Sequence, residues 1–286
     1  MKNFKLLVAI FVMSFVLFSC NDDDENPVIE KDPVTELGIK LIHSIENAGH
    51  TIELYGDNED FHTGYNNVYI RIKNAENEYE EDFKVTSWFP QMHMINHTHA
   101  CPFSEVMDTD YKTLKKGYMV FLMPSNDKEY WDMALDYNLN GQAYSVTGEK
   151  VTVKMNGTRK NMSMFTGTDT NKYIIAYVNP TNPKVAVNDT EILVFKKASM
   201  MSFPLVKNYT VALDPRMPSM GNHSSPNNED YTYNAEKSIY EGKLSLTMTG
   251  YWKLNLKVMN EEGVVIGGTD VTDTNESSDV YVEIEF

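Results

Sequence analysis

The 286-residue chain has only two cysteines, Cys20 and Cys101. Basic residues are also few: 25 Lys and Arg stand against 41 Asp and Glu, giving a formal net charge of −16. So acidic a chain repels phosphate backbones and anionic headgroups, which excludes binding to nucleic acid or a membrane surface through net charge. The longest apolar run, LLVAIFVMSFVLF at residues 6–18, is too short to span a bilayer comfortably. Phosphate loop, HExxH, dinucleotide fingerprint, EF-hand loop and nucleophile elbow are all missing, so the chain is expected not to be an enzyme. Histidine is rare too, yet three of the seven fall within thirteen residues, PQMHMINHTHACP at 90–102, beside two Met and Cys101.

The apolar run follows MKNFK and is closed by Ser19-Cys20. A charged start, a short apolar stretch and a small residue before cysteine read as a cleaved export signal. LFSC resembles a bacterial lipobox, which implies removal of residues 1–19 and lipidation of Cys20. Removal takes away two lysines and no acids, moving the charge from −16 to −18. NDDDENPVIEKDPVTE follows, an acidic, proline-bearing tether over 20–36 that cannot bury a core. An acidic run after the lipid cysteine resembles the surface-export signal of Bacteroidetes lipoproteins. The expected location is the outer membrane, on the cell surface or the periplasmic face, with membrane contact only through the anchor. With Cys20 lipidated, Cys101 has no intramolecular disulfide partner.

Beyond the tether the chain reads as all-β. Short alternating runs such as HTIELYG, NNVYIRIKN, KGYMVFLM, NKYIIAYVN, TEILVFKKA, WKLNLKVM and DVYVEIEF are separated by turn residues, and this spacing predicts β-sandwiches. A weak helical pattern falls only at residues 35–46. The order of segments occurs twice. Trp131 and Trp252 lie 121 residues apart, Tyr118 and Tyr240 122, and Pro90 and Pro215 125. Two related sandwich domains are expected, at 37–158 and 159–286. The repeat sets Met92 against Met217, His99 against His223 and Cys101 against Ser225, so each half carries a Met- and His-bearing loop after a strand.

DPRMPSMGNHSSPN followed by YEGKLSLTMTGYWKLNLKV resembles the YtkA-like family, related to FixH-type proteins. The likeness covers residues 188–258 and, less closely, 66–137, where PSNDKEY enlarges the turn between Met123 and Trp131. It implies tandem immunoglobulin-like sandwiches, exported, in copper or respiratory-oxidase settings.

Copper(I) is soft and takes thioether, imidazole and thiolate donors. Met92, His93 and Met94, then His97, His99 and Cys101, form the expected main site, and Met217, Met220 and His223 a poorer second one. In an extended segment Met92 and Met94 share a face, as do His97 and His99, and a turn at Ile95-Asn96 brings the pairs together. Met217, Met220 and His223 converge only if Pro218 and Gly221 curl the loop. Zinc competes, through three His and a Cys. The simpler reading makes the loops caps on sandwich ends. Met119, Met123, Met133, Met155, Met248 and Met259 read as packing residues, and His43, His50 and His62 as surface or satisfied histidines. The leading expectation is copper sequestration or handover, with an envelope protein as a candidate partner. The other is a metal-free surface module for a protein or glycan.

Overall fold

The computed structural model describes residues 32–286. The signal at 1–19, the lipidation site Cys20 and tether residues 20–31 lie outside the described residues, whereas residues 33–36, expected in the tether, belong to a helix with Pro33 buried. The pattern at 35–46 splits into a five-residue helix, α1 (Pro33–Leu37), and a strand, β1 (Lys40–Asn47). Gly38, at φ 65°, ends the helix in the left-handed region that glycine enters without a Cβ clash.

The first half continues with β2 (His50–Gly56), β3 (Phe61–His62), β4 (Gly64–Lys73), β5 (Phe83–His93), β6 (Thr98–Ala100), β7 (Met107–Asp108), β8 (Lys115–Phe121), β9 (Tyr130–Leu139), β10 (Gln142–Val151) and β11 (Val153–Lys154). One sheet runs β1-β2-β4-β8-β7 and the facing sheet β10-β9-β5-β6. The second half holds β12 (Met162–Thr166), β13 (Lys172–Asn179), β14 (Val187–Lys196), β15 (Thr210–Met217), β16 (His223–Ser224), β17 (Glu229–Asn234), β18 (Ile239–Ser245), β19 (Tyr251–Met259), β20 (Val265–Gly267) and β21 (Tyr281–Glu285). Here β12-β13-β14-β18-β17 repeats the first sheet, and β21-β19-β15-β16 repeats the second.

This is the immunoglobulin topology. In each half the order matches A-B-E-D against G-F-C-C′, with one extra strand before A. The protein is therefore all-β, two immunoglobulin-like sandwiches in tandem. HTIELYG is β2 residue for residue, and its alternation places Ile52 and Leu54 in the core. β1, β10 and β12 had no clear signal, because each has only one or two buried residues and is mixed in composition. Pro90, read as part of a loop, is inside β5. A proline fits there because β6 pairs with β5 only at Gln91–His93, so no ladder bond is lost on that side.

The first core gathers Ile52, Val68, Trp88, Phe121 and Trp131, and the second Ile175, Val194, Tyr240, Leu254 and Trp252. The tryptophans do the same work in both: Trp131 Nε1–H donates to the Met123 carbonyl at 2.9 Å, and Trp252 Nε1–H to that of Met248 at 3.1 Å. Met119 and Met133 are core residues, but Met155 is 60% exposed, since it follows the last strand of its sandwich and meets no facing sheet.

A third apolar cluster joins the halves. Ile174, Ala176 and Val178 on β13 and Leu193 and Phe195 on β14 turn away from their own core and pack against Val120, Tyr118 and Tyr65. A strand buried on both faces cannot alternate with polar residues, which is why YIIAYV reads as one apolar run. Pro33–Phe286 accordingly forms one compact unit.

Candidate functional site

Pairing between β5 and β6 sets the first Met/His segment. Gln91 faces Ala100, Met92 faces His99 and His93 faces Thr98. The hairpin closes through Ile95-Asn96, with Met94 N–H donating to the His97 carbonyl at 3.0 Å. Side chains alternate across a strand, so Met92 and Met94 share a face with their opposites, His99 and His97. Met94 packs against the core that contains Met92, and the His97 and His99 rings lie 6.3 Å apart. Cβ atoms of directly opposed residues lie about 4.5–5.5 Å apart. Two thioethers and two imidazoles thus form a two-by-two array at one end of the first sandwich.

The array is graded in depth. Met92 is fully buried and His99 nearly so, Met94 is half-buried, and His97 is exposed. Trp131 faces Met92 from β9, and the His99 ring stands edge-on to it at 5.4 Å. His99 Nδ1 lies 2.8 Å from the Ala100 carbonyl. A carbonyl only accepts, so Nδ1 carries the proton and Nε2 keeps its lone pair, the form that binds a metal. Burial lowers the His99 pKa, outweighing the opposing pull of that carbonyl, and nearby Lys197 and His97 add to the lowering. Neutral imidazole is favoured.

Two expected ligands are placed elsewhere. His93 points to the opposite face, where Nε2 meets Asp132 Oδ2 at 2.8 Å and the ring stacks on Tyr130 at 4.9 Å. Cys101 is buried in the first core, and burial pushes its thiol pKa far up, so the thiolate a metal needs is disfavoured. Its counterpart Ser225 is buried too, held by Asn228 Nδ2 donating to the Ser225 carbonyl at 2.7 Å.

In the second half Pro218–Met220 forms a 3₁₀ turn, and Gly221, at φ 62°, curls the chain back. His223 thereby faces Met217, as His99 faces Met92. Met217 is buried, whereas Met220 and His223 are exposed, and no second His stands beside the pair. Among the described residues, no group of three or more His, Cys, Asp or Glu side chains is placed to hold an ion, which is what a zinc site draws on.

The sequence reading missed Met200 and Met201. The loop between β14 and β15 brings them to the hairpin, where Ala100 N–H donates to the Met200 carbonyl at 2.9 Å. Both side chains are exposed, so two further thioethers stand on the loop that meets the hairpin. The doubled Met in KKASMMS was the available signal, but only the packing of the two domains gives it a neighbour.

No family model matches the chain, and no curated protein matches it. The YtkA-like resemblance therefore rests on the residues quoted for it. Among solved structures, the chain is similar to the Escherichia coli adhesin FdeC at 10% identity and a TM-score of 0.23, over 79% of each chain. It is also similar to a DUF4785 family protein from Legionella pneumophila at 8% identity and a TM-score of 0.25, over 77% of this chain and 56% of that one. At such scores neither likeness bears on activity.

Proposed function

We propose that the protein is a non-catalytic envelope lipoprotein, anchored through Cys20, that binds Cu(I) in its first domain for sequestration or handover. The observation that carries this reading is the face shared by Met92, Met94, His97 and His99. These donors are soft or borderline, and Cu(I) accepts such sets without strict geometry. The Nδ1–H bond of His99 leaves Nε2 as its donor atom. The exposed end of the array, at His97, is the point of entry and exit, and a metal passed between neighbouring donors leaves in steps. The likeness of residues 188–258 to YtkA-like domains points the same way.

The test is a Cu(I) titration under a competing chelator. A variant carrying Met92→Leu, Met94→Leu, His97→Gln and His99→Gln keeps side-chain volume while removing the donors. One tightly held ion that the variant loses supports the reading. Binding no stronger than that of an unrelated acidic, Met-containing protein ends it and leaves the hairpin as a cap.

A further inference from the structure

The two domains differ at one sheet edge. In the second, β17 bridges the sheets: it pairs with β18 and also with β15, Thr232 opposite Thr210 and Tyr231 opposite Val211. Asp230 Oδ1 adds a bond from Leu213 N–H at 3.0 Å. In the first domain the counterpart of β17 is β7, two residues long, which pairs only with β8. Pairing with the neighbouring strand makes Lys84 and Val85 the counterparts of Thr210 and Val211, since Val85 faces Tyr137 as Val211 faces Val258, and a β-bulge leaves Thr86 as an extra residue in β5. Among the described residues, β5 has a strand on that side only at Gln91–His93. Its edge from Phe83 to Phe89 therefore lines an open groove of about 880 Å³, walled opposite by residues 103–108. An uncovered edge strand offers a row of unpaired N–H and C=O groups to another chain.

We propose that this groove receives an extended, basic segment of a partner polypeptide, which adds to β5 as an antiparallel strand where β17 covers β15. Strand addition draws affinity from main-chain hydrogen bonds and specificity from alternate side chains. Charge selects the partner. The groove carries Glu81, Asp82, Glu105 and Asp108 against Lys84 and Lys115; Lys115 pairs with Asp108 at 2.8 Å and Lys112 with Glu81 at 3.5 Å, which leaves Asp82 and Glu105 against Lys84. A second copy of a chain with net charge −16 is disfavoured, whereas a segment alternating apolar with Lys or Arg complements the rim. The proposal is independent of the metal reading, because the groove contains none of the Met/His array.

A synthetic peptide alternating valine and lysine serves as probe, with a peptide of the same composition in scrambled, non-alternating order as control. Binding is read by fluorescence anisotropy and amide hydrogen exchange on the intact protein. The expected result is protection of amides between residues 83 and 89, with the alternating peptide held at least about tenfold more tightly than the scrambled one. Thr86→Pro should abolish this protection. Asp82→Lys with Glu105→Lys, which leaves the backbone intact, should weaken binding by about tenfold or more. Equal binding of both peptides, protection confined to other strands, or indifference to both variants overturns the proposal.

Discussion

Met92 and His99 are direct partners across β5 and β6, and Met217 and His223 hold the same relation across β15 and β16. The repeat has kept the pair, but only the first domain adds Met94 and His97 beside it. Met92→Leu is therefore expected to cost less than about 1.5 kcal/mol of stability, as a volume-conserving core swap. The same change should weaken Cu(I) binding by about tenfold or more. Met217→Leu should leave Cu(I) affinity unaltered. Chelator competition and urea unfolding on the three proteins check this, and equal affinities for wild type and Met92→Leu count against Met92 as a ligand.

The His99 pKa is lowered by burial in the native state. At high pH the ring is neutral in folded and unfolded chains alike. As pH falls through the ordinary His range near about 6.5, the unfolded chain takes up a proton that native His99 resists. Stability should drop there, and the loss should level off below the native pKa. His99→Gln removes this share of the pH dependence. Urea unfolding of both proteins between about pH 8 and about pH 5 should show wild type losing more than the variant. A constant difference between them would contradict the assignment.

The raised pKa of Cys101 makes its thiol inert in the folded protein. Alkylation by iodoacetamide should be negligible in the native state and rapid in urea. Cys101→Ala should leave Cu(I) stoichiometry as it is. Fast native alkylation, or loss of the metal on substitution, would return the thiol to the site.

Across the domain junction the rings of Tyr118 and Phe195 lie 6.4 Å apart at 55°. A double-mutant cycle of Tyr118→Leu and Phe195→Leu should give a coupling of about 0.5–1.5 kcal/mol. Additive costs would mean that the two side chains do not interact across the junction.

Much of the array was legible in the sequence because it is local. MxM and HxH separated by two residues become opposed pairs as soon as the chain turns at Ile95-Asn96, and alternation along a strand does the rest. Cys101 and His93 could not be placed this way. Spacing gives a face relative to neighbours but not which face meets the core, and Asp132, which takes His93, arrives on β9. Met200 is 100 residues from Ala100 and has no sequence mark of that contact.

By itself the sequence determined the buried, alternating strands and the duplication, since these depend on side-chain type along a few residues of extended chain; it did not mark the mixed strands β1, β10 and β12. It also determined the Met/His pairing, which needs only one tight turn. The tertiary structure alone decided how deep each donor lies, that the outer face of β13 and β14 is a junction between domains, and that β5 keeps an open edge where β15 is covered. Those features depend on which distant segments meet. β7 is two residues long and β17 six, and their reach across the gap between sheets separates an open edge from a closed one.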